Sequence, residues 1–228
     1  MKKIITIIGL MLIGSAYTKA QTVVVEEIVT RDTVNTNKQN KVSLGLMLDF
    51  TFYGGANEKG LEGTLANSLG VNTAINLKYK LHKNLKLVSQ FGINVENYAF
   101  KKTDTNTSFP STLNNSVDRF MVTALSLSLG ARVNIGKGFY AEAGAMAKWN
   151  FANAYNYETK DANGNNVEVF VRDLNYIKNF NYDAYARIGY EVINIVAYYR
   201  LNDMFQTTSI APVVYEVPRL RLGISIGI

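Results

Sequence analysis

The stretch Pro218–Ile228 reads P-R-L-R-L-G-I-S-I-G-I and alternates without a break. Leu220, Leu222, Ile224, Ile226 and Ile228 share one parity, and Arg219, Arg221, Gly223, Ser225 and Gly227 share the other. A period of two places these sets on opposite faces of a strand. One face is aliphatic along its whole length and the other is charged or small. Such a strand belongs where one side of a sheet meets an apolar medium, which is either a protein core or lipid. The rest of the chain decides between them.

Met1–Ala20 has the three parts of a secretory signal peptide. Lys2 and Lys3 form the basic start, Ile4–Ile13 the apolar run, and Ser15, Ala16 and Ala20 the small residues before a cut. The apolar run is too short to cross a bilayer as a helix. Cleavage after Ala20 is expected, and export with it. Residues 21–40 turn from apolar to polar and are expected to form an N-terminal periplasmic extension, leaving 41–228 as a single domain. No later run reaches the roughly 18 apolar residues of a spanning helix, but alternating barrel strands never do. The chain has no cysteine, which excludes a lipid-anchored lipoprotein and a disulfide scaffold. Its net charge of +6 falls by three lysines when the leader is removed, too little and too dispersed for a nucleic-acid partner.

From Lys41 the alternation recurs seven times before the terminal strand. Val42, Leu44, Leu46, Leu48, Phe50 and Phe52 oppose Ser43, Gly45, Met47, Asp49 and Thr51. Val71, Thr73, Ile75, Leu77, Tyr79 and Leu81 oppose Asn72, Ala74, Asn76, Lys78 and Lys80; after His82-Lys83-Asn84, Leu85, Leu87, Phe91, Ile93 and Val95 oppose Lys86, Gln90, Gly92, Asn94 and Glu96. Beyond a polar loop, Lys101–Asp118, the face Met121–Val133 opposes Ser126, Ser128, Gly130, Arg132 and Asn134, and Gly136-Lys137-Gly138 makes a tight turn. Between Phe139 and Trp149 two frames compete. A lysine facing lipid at mid-bilayer costs about 2–4 kcal/mol, so Ala141, Ala143, Ala145 and Ala147 face out while Glu142 and Lys148 face in. After the loop Ala152–Phe180, Tyr182–Val192 carries Asp183, Tyr185, Arg187, Gly189 and Glu191 inward; a turn is expected near Ile193-Asn194, and Ile195–Leu201 carries Tyr198 and Arg200 inward, with Asn202 following. Asn163-Gly164 predicts a hairpin turn, with Tyr155–Tyr157 and Val167–Val171 as strand extensions beyond the membrane. A calcium loop is disfavoured there, since the glycine and the closing glutamate are misplaced.

Long and short connections alternate, so the expected fold is all-β: an eight-stranded antiparallel up-and-down transmembrane β-barrel, closed because lipid cannot satisfy an open edge. Both termini lie on the periplasmic side in this reading. Aromatic girdles are expected at strand ends, from Phe52, Tyr53, Tyr98, Phe120, Phe139, Trp149, Phe151, Tyr190, Tyr199 and Phe205. The rival is a soluble barrel of lipocalin type, with apolar residues inside and charges outside. The glycines and serines of the polar face and the long uncharged apolar faces favour the membrane form.

On these features the chain resembles the outer-membrane β-barrel families of Bacteroidetes, the PorT-like group and OmpA/OmpX-like eight-stranded barrels among them. The resemblance rests on the architecture, on Tyr198-Tyr199-Arg200-Leu201-Asn202-Asp203-Met204-Phe205, and on Arg219–Ile228. It implies residence in the outer membrane of a Gram-negative bacterium. It also implies that Arg221, Gly223, Ile226 and Ile228 form the C-terminal signal for the barrel assembly machinery, with Ile228 where an aromatic residue is usual.

The inward charges Asp49, Lys78, Lys80, Lys86, Glu96, Arg132, Glu142, Lys148, Asp183, Arg187, Glu191, Arg200, Arg219 and Arg221 are the candidate site. In a barrel this narrow they are expected to pair and close the lumen. The leading function is therefore a structural or interaction barrel, monomeric, surrounded by membrane lipids and binding protein partners through its surface loops. The alternative is a narrow small-solute channel. An outer-membrane enzyme is disfavoured because the single histidine, His82, falls in a short turn and not among the loops. No cofactor or metal is expected.

Overall fold

The computed structural model describes residues 41–53, 62–63, 68–101, 117–206 and 216–227. The expected signal peptide, the 21–40 extension, most of the loops that follow Tyr53, Lys101 and Gln206, and Ile228 lie outside these residues.

Ten strands follow in order: β1 (Val42–Tyr53), β2 (Glu62–Gly63), β3 (Leu69–Lys80), β4 (Leu85–Lys101), β5 (Val117–Gly136), β6 (Phe139–Lys160), β7 (Asn166–Arg172), β8 (Phe180–Tyr190), β9 (Ile193–Arg200) and β10 (Leu220–Gly227). Eight of them, all but β2 and β7, form a wall in the cyclic order β1-β3-β4-β5-β6-β8-β9-β10, every neighbour antiparallel, and β1 pairs with β10 to close it. The sheet is a closed eight-stranded barrel, as the alternation requires. Closure pairs Leu48 with Ile226 and Phe50 with Ile224, so the aliphatic face of the terminal strand continues that of the first. Short connections at one end join β3 to β4, β5 to β6 and β8 to β9; the long ones gather at the other. These are called the turn end and the loop end below.

The two faces separate by polarity. Large apolar side chains on every wall strand are exposed, among them Leu44, Ile75, Phe91, Leu127, Leu129, Ile188, Ile195 and Ile224. Asp49, Asn76, Gln90, Glu96, Ser126, Ser128, Arg132, Glu142, Lys148, Asp183, Arg187 and Arg221 are buried inside. This inverts a lipocalin, and the soluble rival is excluded as a packing arrangement. Side chains fill an eight-stranded interior, and small residues make the room. Gly130 and Gly144 lie opposite each other on β5 and β6. A Cβ on Gly144 would stand 2.3 Å from the Leu129 carbonyl oxygen, and one on Gly130 2.3 Å from Tyr185 Oη. The glycine pair is the slot into which Tyr185 fits.

Three expectations change. The turn between β8 and β9 is Glu191-Val192, two residues earlier than expected, since Tyr190 pairs with Ile193. Glu191 adopts φ +50° there and is exposed, so it is no part of the lumen. Arg219 precedes β10 and pairs at the rim with Asp203, both partly exposed. Tyr53, Tyr98 and Phe120 are buried inside instead of joining an outer girdle, whereas Phe52, Phe139, Trp149, Phe151, Tyr190 and Tyr199 do face outward.

β6 is also longer than expected, at 22 residues. A register shift opposite Thr123 and Ala124 leaves Phe151 as an extra residue. The bulge reverses the parity of the strand beyond it, so Tyr155, opposite Phe120, turns inward. The strand then continues past the wall as a two-stranded ribbon with β7. At its tip the Asp161 carboxylate accepts the N–H groups of Asn163 and Asn165, each at 2.8 Å, and Gly164 takes φ +83°. These donors, that of Asn165 foremost, hold the Asp161 carboxyl below its ordinary range. The turn's contribution is therefore complete above the ordinary aspartate pKa of about 3.9 and is lost as pH falls through the lowered folded value. Amide exchange at Asn163 and Asn165 is expected to quicken in that acid window while exchange in the barrel wall stays slow.

Candidate functional site: the ion-paired lumen and its cap

Two charge clusters cross the interior. In the first, nearer the loop end, Glu96 on β4, Lys148 on β6, Asp183 on β8 and Arg221 on β10 form a closed ring of alternating sign. Lys148 Nζ lies 2.8 Å from Glu96 and 2.9 Å from Asp183; Arg221 donates to Glu96 at 2.5 Å and also to Asp183. Tyr98 Oη donates to the second Glu96 oxygen at 2.6 Å. The competing frame of β6 would have put Lys148 outside; the ring shows why it faces in.

In the second cluster the order is Asp49 (β1), Arg187 (β8), Glu142 (β6), Arg132 (β5). Arg187 Nη1 donates to Glu142 at 2.8 Å and Arg132 Nε to the other Glu142 oxygen at 2.7 Å; Arg187 Nη2 is 3.4 Å from Asp49. Asp49 also accepts from Tyr198 Oη at 2.5 Å and from Asn72 Nδ2 at 2.9 Å. The Arg221 guanidinium lies over the Tyr198 ring at 4.6 Å, which joins the two clusters. Groups on strands far apart around the wall thus meet in the middle. Buried charges persist when paired and hydrogen-bonded, and here the pairing occupies the lumen.

Of the expected charges, Asp49, Glu96, Arg132, Glu142, Lys148, Asp183, Arg187 and Arg221 are brought together in these clusters. Arg200 faces inward but pairs with Glu216, in the connection that precedes β10. Lys78, Lys80 and Lys86 are half-buried near the turn end. Glu191 and Arg219 stand apart, as described. The tyrosines at positions 53, 98 and 198 were not among the candidate charges, yet they furnish the hydroxyls and rings on which the clusters rest.

Above the ring the loop end carries an apolar cap. Tyr53, Tyr98, Phe120, Val122 and Tyr155 from the wall pack with Leu174, Ile177, Met204 and Val217 from the connections. Tyr53 and Tyr98 lie 4.2 Å apart between ring centroids, and Phe120 lies 5.5 Å from Phe205. Ile177 forms a β-bridge with Phe205, and the Gln206 N–H donates to the Tyr176 carbonyl at 2.8 Å. Glu216 fastens the cap: it accepts from the Met204 N–H at 3.0 Å and from Arg200, which also donates to the Val217 carbonyl at 2.7 Å. Burial pushes the Glu216 carboxyl above its ordinary range, against the pull of Arg200. Among the described residues, cap and ring both span the lumen toward the loop end.

An apolar outer belt, an ion-paired interior and turns at one end with long loops at the other define the outer-membrane type of β-barrel fold. No protein-family model matches the chain, and no curated protein matches it. Among solved structures it is similar to Ail, the attachment invasion locus protein of Yersinia pestis, solved in complex with the heparin analogue sucrose octasulfate; identity is 11%, with 82% of this chain and 96% of that one covered at a TM-score of 0.29. It is also similar to a major outer membrane protein from Thermus thermophilus, at 14% identity, 82% and 100% coverage and a TM-score of 0.36.

Proposed function

We propose that the protein is an integral outer-membrane barrel of a Gram-negative bacterium, exported by a cleaved signal peptide and with both termini periplasmic. Its role is to bind a partner at the loop end and not to catalyse or to conduct. The C-terminal residues Arg221, Gly223, Ile226 and Ile228 serve as its assembly signal, and membership of the PorT-like group is part of the same reading. The lumen clusters and the cap support a barrel closed to solutes.

The observation that carries the binding role is the free edge of β7. The Asp161 N–H donates to the Asn165 carbonyl at 2.9 Å, and the Asp173 N–H donates to the Asn153 carbonyl at 3.2 Å. Antiparallel pairing alternates, so Val167, Val169 and Val171 bond to β6, and Asn166, Glu168, Phe170 and Arg172 aim their main-chain groups away from it. Among the described residues β7 pairs only with β6, and Val167, Phe170 and Val171 are exposed. An exposed apolar edge is a template for an added strand.

Phe170→Pro removes one free-edge donor and leaves the β6 ladder intact, because proline is tolerated where its missing N–H faces outward. Affinity capture from native membranes is expected to lose the partner about fivefold with Phe170→Pro, the equivalent of one net hydrogen bond of about 1 kcal/mol. Amide protection of Val169 should be unchanged. Equal capture by the variant, with the ribbon folded, would contradict this role for β7.

A further inference from the structure

Three adjacent strands bring four cations together on one inward face. Lys80 stands opposite Lys86 across β3 and β4, Lys86 opposite Arg132 across β4 and β5, and Lys78 lies diagonal to Lys86 on the same face. Arg132 is held by Glu142, while Lys78 and Lys86 form no ion pair among the described residues. Like charges directly opposite destabilise an antiparallel pair, and half-burial strengthens the repulsion by lowering the local dielectric.

One step further into the lumen is a second, independent oddity. Asn76 and Gln90 face each other across β3 and β4. They are 0% and 2% exposed, and among the described residues neither atom of either amide has a hydrogen-bond partner. A buried amide left unsatisfied is costly. The two liabilities sit side by side on β3, β4 and β5, and one occupant answers both the repulsion and the two unpartnered amide donors. It must accept hydrogen bonds from Asn76 Nδ2 and Gln90 Nε2 and supply negative charge to two ammonium groups. A small tetrahedral oxyanion does this, and Lys is a point-charge binder of that class.

We propose that Lys78, Lys86, Asn76 and Gln90 form a phosphate-binding site open at the turn-end mouth. The phosphate is either inorganic or the headgroup of a phospholipid in the leaflet at that end. The site lies beside Arg132 of the second cluster, nearer the turn end than the ring and the cap, so it stands independently of the β7 role.

The test is thermal melting of the folded chain in maltoside micelles, which contain no phosphate. Three conditions are compared: inorganic phosphate, chloride at equal ionic strength, and a few mole per cent of phosphatidylglycerol. The wild type is expected to melt several degrees higher with inorganic phosphate or with the lipid than with chloride. A rise with inorganic phosphate assigns the free anion, and a rise with the lipid alone assigns the headgroup. Lys78→Met/Lys86→Met is expected to lose that rise and to melt at or above the wild type in chloride, since it removes repulsion without removing a pair. If the double variant does not fold, Lys78→Gln alone should show the same loss in smaller measure. A wild-type melting temperature indifferent to phosphate and lipid, or a double variant that melts below the wild type in chloride, would overturn the site.

Discussion

Glu142→Ala is expected to destabilise the barrel by about 3–5 kcal/mol, the cost of breaking a buried ion pair from one side. Glu142 is the shared acceptor of Arg132 and Arg187, and all three side chains are buried. Its removal leaves two guanidinium groups with Asp49 as the remaining carboxylate of their cluster, 3.4 Å from Arg187. Urea unfolding in phospholipid vesicles should show the loss as a lower midpoint with little change in slope. Arg132→Ala acts in the same direction by orphaning one arm of the same carboxylate. Neither variant is expected to conduct in planar bilayers, because the ring of Glu96, Lys148, Asp183 and Arg221 and the cap above it remain. The control is Arg219→Ala. Its pair with Asp203 is partly exposed at the rim, so the loss should be about 0–1 kcal/mol. Equal losses for the two variants would mean that the interior network adds no more than a surface pair does.

Leu129→Arg is expected to cost about 2–4 kcal/mol, the penalty for an arginine facing lipid near mid-bilayer. Leu129 lies in the middle of β5, 57% exposed, between Ser89 of β4 and Ala145 of β6. On a soluble barrel the same substitution at so exposed a site would fall within about 0.5 kcal/mol of neutral. The sign and size of the change therefore report the medium that touches this face. Unfolding in vesicles is the measurement, and the effect should shrink toward zero for Ile135→Arg, which lies at the last turn of the same face, where depth is least.

The wall was legible because a period of two in a narrow barrel leaves little freedom: parity assigns the face, and the cost of a charge in lipid fixes the phase. That argument placed Glu142 and Lys148 inward, with Tyr140 and Met146 of their row, against the row of Phe139, the alanines and Trp149, and both charges sit in ion pairs. The misplaced aromatics share one cause. Tyr53, Tyr98 and Phe120 were grouped with the girdles for being aromatic near strand ends, although each has the parity of the lumen face, beside Thr51, Glu96 and Val122. Applied consistently, alternation would have put all three inside.

The bulge at Phe151 could not be read that way, since nothing local distinguishes an extra residue in a run of aromatics and small polar side chains. Only the pairing with Thr123 and Ala124 reveals it. The Glu191 turn was missed because Glu191-Val192 lacks the glycine or asparagine that usually marks positive φ. Glu216 lies in a connection with no periodicity, so its link to Arg200 is a matter of tertiary placement. The pairings themselves were beyond the sequence: parity shows that Arg221 points inward, but only the closed topology brings it to Glu96, 125 positions away.

The central claim is that the aliphatic face seen first in Pro218–Ile228 belongs to a belt in contact with lipid. The chain has a single tryptophan, Trp149, 49% exposed on that belt and packed beside Phe151. Its fluorescence can be followed without any substitution. In vesicles of phospholipids brominated on the acyl chain, the emission is expected to be strongly quenched, and acrylamide in the water phase should have little effect. Emission that acrylamide quenches freely and brominated lipid leaves untouched would contradict the account.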